Sequence, residues 1–177
     1  MPMFQVGFKA EPLERGQEAV RQELIGDLAA EALFGESSRL YLRLYEEGLI
    51  DSAFGGGFET VEGMAMLTAF GDSDDPEAVL EAIMEEARQI ADQGIPETDF
   101  LRMKRSAMGR RIRELDSFDS TCFRICAYHF SGFDYFRFPE VYEQLNRNEI
   151  QAFLQRVVTQ DRTSMACIYP IQQEDQT

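Results

Sequence analysis

The sequence predicts an α+β fold in which an antiparallel sheet packs against several helices. Three observations carry that expectation. Strand-like segments stand near both ends of the chain and as an adjacent pair before its middle. Helical apolar spacing fills the intervals in runs, without the regular strand-helix alternation of a parallel sheet. The 177 residues, 44% hydrophobic and 28% charged, suit a single domain. A chain of that length buries roughly 70% of its unfolded surface and folds without disulfides or metal.

Residues 3–9 (MFQVGFK) are short and mixed apolar and are followed by Pro12, which reads as a strand. Residues 15–34 place Ala19, Leu24, Ile25, Leu28, Ala32 and Leu33 at helical spacing. Gly35 then stands where a helix end accepts a positive φ. Ser37 or Ser38 supplies a hydroxyl to cap a second helix, which runs through Leu40, Leu44 and Tyr45 to Gly48. Residues 50–60 and 64–71 are rich in Phe, Gly, Thr and Met and lack helical period, which predicts two antiparallel strands about a Glu62-Gly63 turn. Gly55, Gly56 and Gly57 in the first of them predict a bulge or a close backbone contact. Asp75 caps the next helix, Pro76 occupies its first turn, and Val79, Ile83, Ala87 and Ile90 form its buried stripe up to Gly94. Further helices are predicted over 97–115, 117–131 (with a strongly apolar face), 138–145 and 149–158. Residues 162–169 (RTSMACIY) form a last strand before Pro170. The domain is expected to span 1–171, with 172–177 a polar, frayed tail.

Charge excludes several function classes. Seventeen basic and 32 acidic residues give a formal charge of -15. A nucleic-acid partner requires clustered cations to neutralise phosphates, and an anionic membrane surface repels such a chain. No apolar run approaches the roughly 20 residues that span a bilayer. Three cysteines and an N-terminus without a leader pattern predict a cytoplasmic location.

Four constellations could carry chemistry. Cys122, Cys126 and His129 share a helix face at i, i+4, i+7, compatible with metal ligation, yet burial among Ile125, Phe130 and Phe133 accounts for them better. Asp72-Ser73-Asp74-Asp75 opens like a calcium loop, but Glu77 and Ile83 replace its required glycine and glutamate, leaving a helix-capping turn. The three glycines lack the Gly-Lys-Ser/Thr of a phosphate loop. Arg102, Lys104, Arg105, Arg110, Arg111 and Arg113 crowd twelve residues after an acidic helix, and mutual neutralisation between these two helices is the expectation. The alternative is an anion- or partner-docking face.

One stretch is more specific. Ser38-Arg39-Leu40-Tyr41-Leu42-Arg43-Leu44-Tyr45-Glu46-Glu47-Gly48-Leu49-Ile50-Asp51-Ser52-Ala53-Phe54 resembles the helix-to-strand segment of the pitrilysin/insulinase family of zinc peptidases. Members read Ser-Arg-Leu, then Leu-Arg-Glu-Glu and Gly-Leu-Ala-Tyr-Ser. Asp75-Pro76-Glu77, Gly94-Ile95-Pro96-Glu97 and Lys104 continue the likeness in order and spacing, closest to a bacterial processing-peptidase-like subgroup.

The resemblance implies one half-domain of a clamshell metallopeptidase. The family's catalytic copy holds zinc with His-x-x-Glu-His, whose glutamate activates water. This chain has one histidine, so it looks like the second, non-catalytic copy, with no catalytic or metal-binding residues and no cofactor of its own. Zinc is implied for the catalytic half. The family's second copy contacts substrate through an arginine and a tyrosine seven residues on. Those slots fall at Tyr45 and Asp51 here, with one residue missing between Glu47 and Gly48, so the usual carbonyl contacts do not carry over.

Arg43, Tyr45, Asp51 and Gly56 are the candidate substrate-binding positions. The expected partners are a catalytic half or homologous subunit and a peptide or small protein. The alternatives are a free-standing interaction subunit and, more remotely, a metal-binding domain built on Cys122, Cys126 and His129. A strand two residues after Met1 favours a piece of a longer chain.

Overall fold

The computed structural model describes residues 1–61 and 63–170. Its sheet is assembled around β1 (Met3–Ala10), where Phe4, Val6, Phe8 and Ala10 are buried and Met3, Gln5 and Lys9 are exposed. That period of two makes one face apolar and commits it to the helices. Strands β2 (Gly55–Val61), β3 (Met64–Asp72) and β4 (Thr163–Ile168) complete the order β2-β3-β1-β4, and every neighbouring pair is antiparallel. Val6 lies between Ala69 and Met165, which fixes the register so that Ala65, Leu67 and Ala69 join the buried face. The tail 172–177 and Glu62 of the predicted turn lie outside the described residues, while Gly63 has the positive φ of 83° that a tight turn requires.

Helix α1 (Gln17–Phe34) crosses the sheet and buries Val20, Leu24, Leu28, Leu33 and Phe34. α2 (Arg39–Glu46) is capped by Ser38, whose Oγ accepts from Tyr41 N at 3.0 Å and donates to the Leu33 carbonyl at 2.8 Å. α3 (Pro76–Gln93) starts on Asp75, whose Oδ1 accepts from Ala78 N at 3.0 Å, and buries Val79, Ile83, Ala87 and Ile90 as expected. α4 (Glu97–Glu114), α5 (Phe118–Phe130), α6 (Phe138–Gln144) and α7 (Arg147–Val157) follow. Lys104 of α4 donates to the carbonyls of Glu143 and Leu145, at 3.1 Å each, closing the end of α6. Among the described residues no helix is long and apolar enough to cross a membrane.

Several expectations are corrected. Gly35 is extended, with φ -62°; its glycine is needed because a Cβ would sit 2.6 Å from the Glu31 carbonyl oxygen. The first strand of the hairpin begins at Gly55, and residues 50–54 form a loop held by Asp51, whose Oδ1 accepts from Ala53 N at 2.7 Å. The loop reads as strand because it buries Ile50 and Phe54, the latter against Phe4, Phe34 and Tyr41. No bulge breaks β2: its register runs unbroken from Gly55 opposite Phe70 to Val61 opposite Met64. Cys122, Cys126 and His129 are exposed, not buried. The apolar face of α5 is likewise open, with Phe118, Phe123 and Phe130 at 80%, 74% and 87% exposure, because the helix docks through Tyr128.

Candidate functional site

The site is built on the packing of β2 against α1, which glycine permits from both sides. A Cβ on Gly56 would fall 2.4 Å from the Phe34 ring and 2.4 Å from the Thr68 carbonyl oxygen. A Cβ on Gly26 of α1 would fall 2.3 Å from the Phe58 ring. Removing both methylene-sized obstacles draws the edge strand tightly onto the helix. The predicted close backbone contact is therefore present, without a bulge.

Beside this seam lies a groove of about 700 Å³. One rim is Gly55, Gly56, Gly57 and Phe58, and the opposite wall is α4, with Arg102, Ser106 and Arg110 at four-residue spacing. Such residues share one helix face. α1 contributes Asp27, Glu31 and Phe34.

The rim is a free sheet edge. β2 pairs with β3 alone, and among the described residues no backbone hydrogen bond joins Gly55–Val61 to any other segment. Proteins ordinarily protect such an edge with proline, lysine, a bulge or a covering element. β2 (GGGFETV) has no proline, lysine or bulge. Its one charge, Glu59, is turned to its neighbour strand, accepting from Thr68 Oγ1 at 3.1 Å.

The charges of the wall are mostly committed. Arg110 pairs with Glu31 at 3.0 Å and donates to Ser106 Oγ at 3.0 Å. Arg124 of α5 pairs with Glu114 at 2.6 Å. Arg111, only 5% exposed, donates to Tyr128 Oη at 3.2 Å and to Glu23 at 3.1 Å, and stands 3.8 Å from Asp27. Tyr128 Oη itself donates to Glu23 at 2.6 Å. Burial, and then the neighbouring Glu23 carboxylate, push the Asp27 carboxyl up to about 6 against the opposing pull of Arg111. Burial and Glu23 likewise raise the Tyr128 phenol. Among the described residues the α4 cations that find a carboxylate within 4.0 Å, Arg110 and Arg111, find it on α1, correcting the expectation that the acidic α3 would neutralise this helix; proximity in sequence is not proximity across the layer. Arg102 donates to Ser37 Oγ at 2.8 Å and has no carboxylate within 4.0 Å among the described residues.

Of the predicted positions, the structure brings Gly56 alone into this groove. Arg43 lines a separate cleft beside α3 and pairs with Glu85 at 3.5 Å. Tyr45 stacks on Tyr41, with centroids 6.0 Å apart, and lies outside both. Asp51 is also outside both and is occupied as the loop cap. Sequence reasoning singled out Arg102 only as one of six cations of an alternative anion- or partner-docking face, and did not single out Asp27, Glu31 or Ser106. The four-residue spacing on α4 was available as a signal, but nothing in the sequence said which strand it faces.

The described residues do not fit a zinc site. Among the described residues no group of three or more His, Cys, Asp or Glu side chains is placed to hold a metal, and the chain's one histidine lies exposed on α5.

Comparison with known proteins agrees with this architecture. A family model for the peptidase M16 inactive domain matches residues 1–107. A Bacillus subtilis protein, the uncharacterized zinc protease YmfH, is 29% identical over 170 residues, which are 96% of this chain and 40% of that protein. An M16-like peptidase structure from Alicyclobacillus acidocaldarius superposes with a TM-score of 0.87 at 22% identity, over 96% of this chain and 41% of that one. An inactive peptidase domain from Bordetella parapertussis superposes with a TM-score of 0.80 at 13% identity, over 98% of this chain and 93% of that one. The chain thus spans about 40% of the length of the curated relative it matches.

Proposed function

The chain belongs to the peptidase M16 inactive-domain family, and from that premise we propose that it forms one wall of a peptide-binding chamber and docks on a zinc-bearing catalytic half. The unprotected edge of β2 carries this reading. Unpaired N–H and C=O groups along an open groove are a template for an extended peptide, which gains main-chain hydrogen bonds by adding as a strand. The glycines keep side chains off that rim, so the backbone is what a ligand meets. Phe118, Phe123 and Phe130 on α5 offer an apolar surface of the kind that protein interfaces cover. Metal-activated water and the cleavage it drives belong to the other half. The role of this domain is to hold an extended segment, and a peptide or small protein in that state is its ligand class.

The test is hydrogen exchange on the 177-residue chain with and without extended, β-prone peptides. The amides of Gly55–Val61 should gain protection while those of β4, the opposite edge, do not. The same chain should hydrolyse none of the peptides, with or without added zinc. Unchanged exchange at β2 with every peptide refutes the strand-addition reading, and chelator-sensitive hydrolysis refutes the non-catalytic one.

A further inference from the structure

We infer that the β2 groove selects an extended segment carrying a single carboxylate, held against Arg102. This rests on the strand-addition reading above and gives its ligand a chemistry. Four arginines line the groove. Arg110, Arg111 and Arg124 are each paired with an acid of this chain, at 3.0, 3.1 and 2.6 Å. Arg102 spends one donor on Ser37 Oγ and meets no carboxylate within 4.0 Å among the described residues. It is the uncommitted cation of the groove, and its planar fork of donors matches a carboxylate geometrically.

The surroundings limit what binds there. The chain carries a formal charge of -15, so its overall field repels acidic ligands, and an acid is favoured only where a local cation compensates. Glu31 of α1 lines the same groove but is already neutralised by Arg110. Glu36, on the loop beside Ser37, has no cation within 4.0 Å among the described residues. It opposes a second acid, so the groove favours one carboxylate over a polyacidic run.

A side-chain acid and a chain terminus present the same group, and the peptides of the test separate them. One capped, amidated Thr/Val-rich peptide carries a central Glu; a second carries Gln there; a third carries Gln and a free C-terminal carboxylate. Binding to the full chain is measured by titration at low salt, with β2 exchange as a site marker. The Glu peptide, or the free-terminus peptide, is expected to bind about three- to fivefold more tightly than the capped Gln peptide, the scale of an exposed ion pair. Whichever of the two gains identifies the source of the carboxylate. Arg102→Gln should abolish the difference, and Arg102→Glu should reverse it in favour of a Lys-bearing peptide. Arg102 is exposed, so both variants should keep the parent unfolding midpoint. Equal affinities with β2 still protected overturn the carboxylate inference and leave strand addition standing. Loss of β2 protection with every peptide overturns the reading beneath it.

Discussion

Replacing Arg111 with Met should unfasten the side of the domain on which α5 stands. Its guanidinium is nearly fully buried and joins three elements: Glu23 and Asp27 on α1, itself on α4, and Tyr128 on α5. It also lies over the rings of Tyr128 and Phe138, at 6.0 and 5.9 Å. Truncating one member of a fully buried ion pair costs about 3–5 kcal/mol, because the orphaned charge stays in a poor solvent. Here the acids are less enclosed, Glu23 at 26% and Asp27 at 39% side-chain exposure, so water can reach them. Tyr128 also continues to donate to Glu23. The expected loss is therefore about 2–3 kcal/mol, or roughly 4–12 °C in Tm for a domain of this size. Urea unfolding of the wild type, Arg111→Met, Glu23→Gln and the double variant supplies the test. The double variant should be less destabilised than the sum of the single ones, since the second change removes the charge the first one strands. A loss under about 0.5 kcal/mol, or strict additivity, would show that the network holds nothing together.

Two further outcomes follow from the same side chains. Asp27 has its carboxyl raised from 3.8 to about 6, so between those values the folded chain binds a proton that the unfolded chain has released. Its contribution to stability therefore falls as pH rises from about 4 to about 6. Asp27→Asn should gain on the wild type across that interval in thermal unfolding run at both ends, and parallel pH profiles would contradict the assignment. Ser38→Ala removes both the cap of α2 and a buried bond to the Leu33 carbonyl, and should lower stability by about 1–2 kcal/mol in denaturant titration. An unchanged midpoint would mean that water replaces the hydroxyl without penalty.

Most of the element order was legible because it rests on local chemistry. Asp75 before Pro76, Ser38 before an apolar period, and the alternation of β1 each act through neighbours within a turn or a strand. Misreadings occurred where distant packing intervenes. Ile50 and Phe54 look like strand because the core needs them, yet Asp51 folds that stretch into a loop. Phe118, Phe123 and Phe130 look like core because they are apolar, and only the docking of α5 through Tyr128 shows them open. Gly35 looks like a left-handed cap, but the helix end crowds it for another reason.

What the amino-acid sequence settled unaided is an α+β order of elements and a single histidine, too few for a His-x-x-Glu-His motif. Composition and short-range period suffice for that, because an absent side chain is absent in any conformation. The groove was decided by tertiary structure. It exists because Gly26 and Gly56, thirty residues apart, let a helix and an edge strand approach until α4 faces the unpaired backbone of β2. Whether a glycine marks a turn, a bulge or such a seam depends on which atom lies opposite it, and that is fixed only when the layers close.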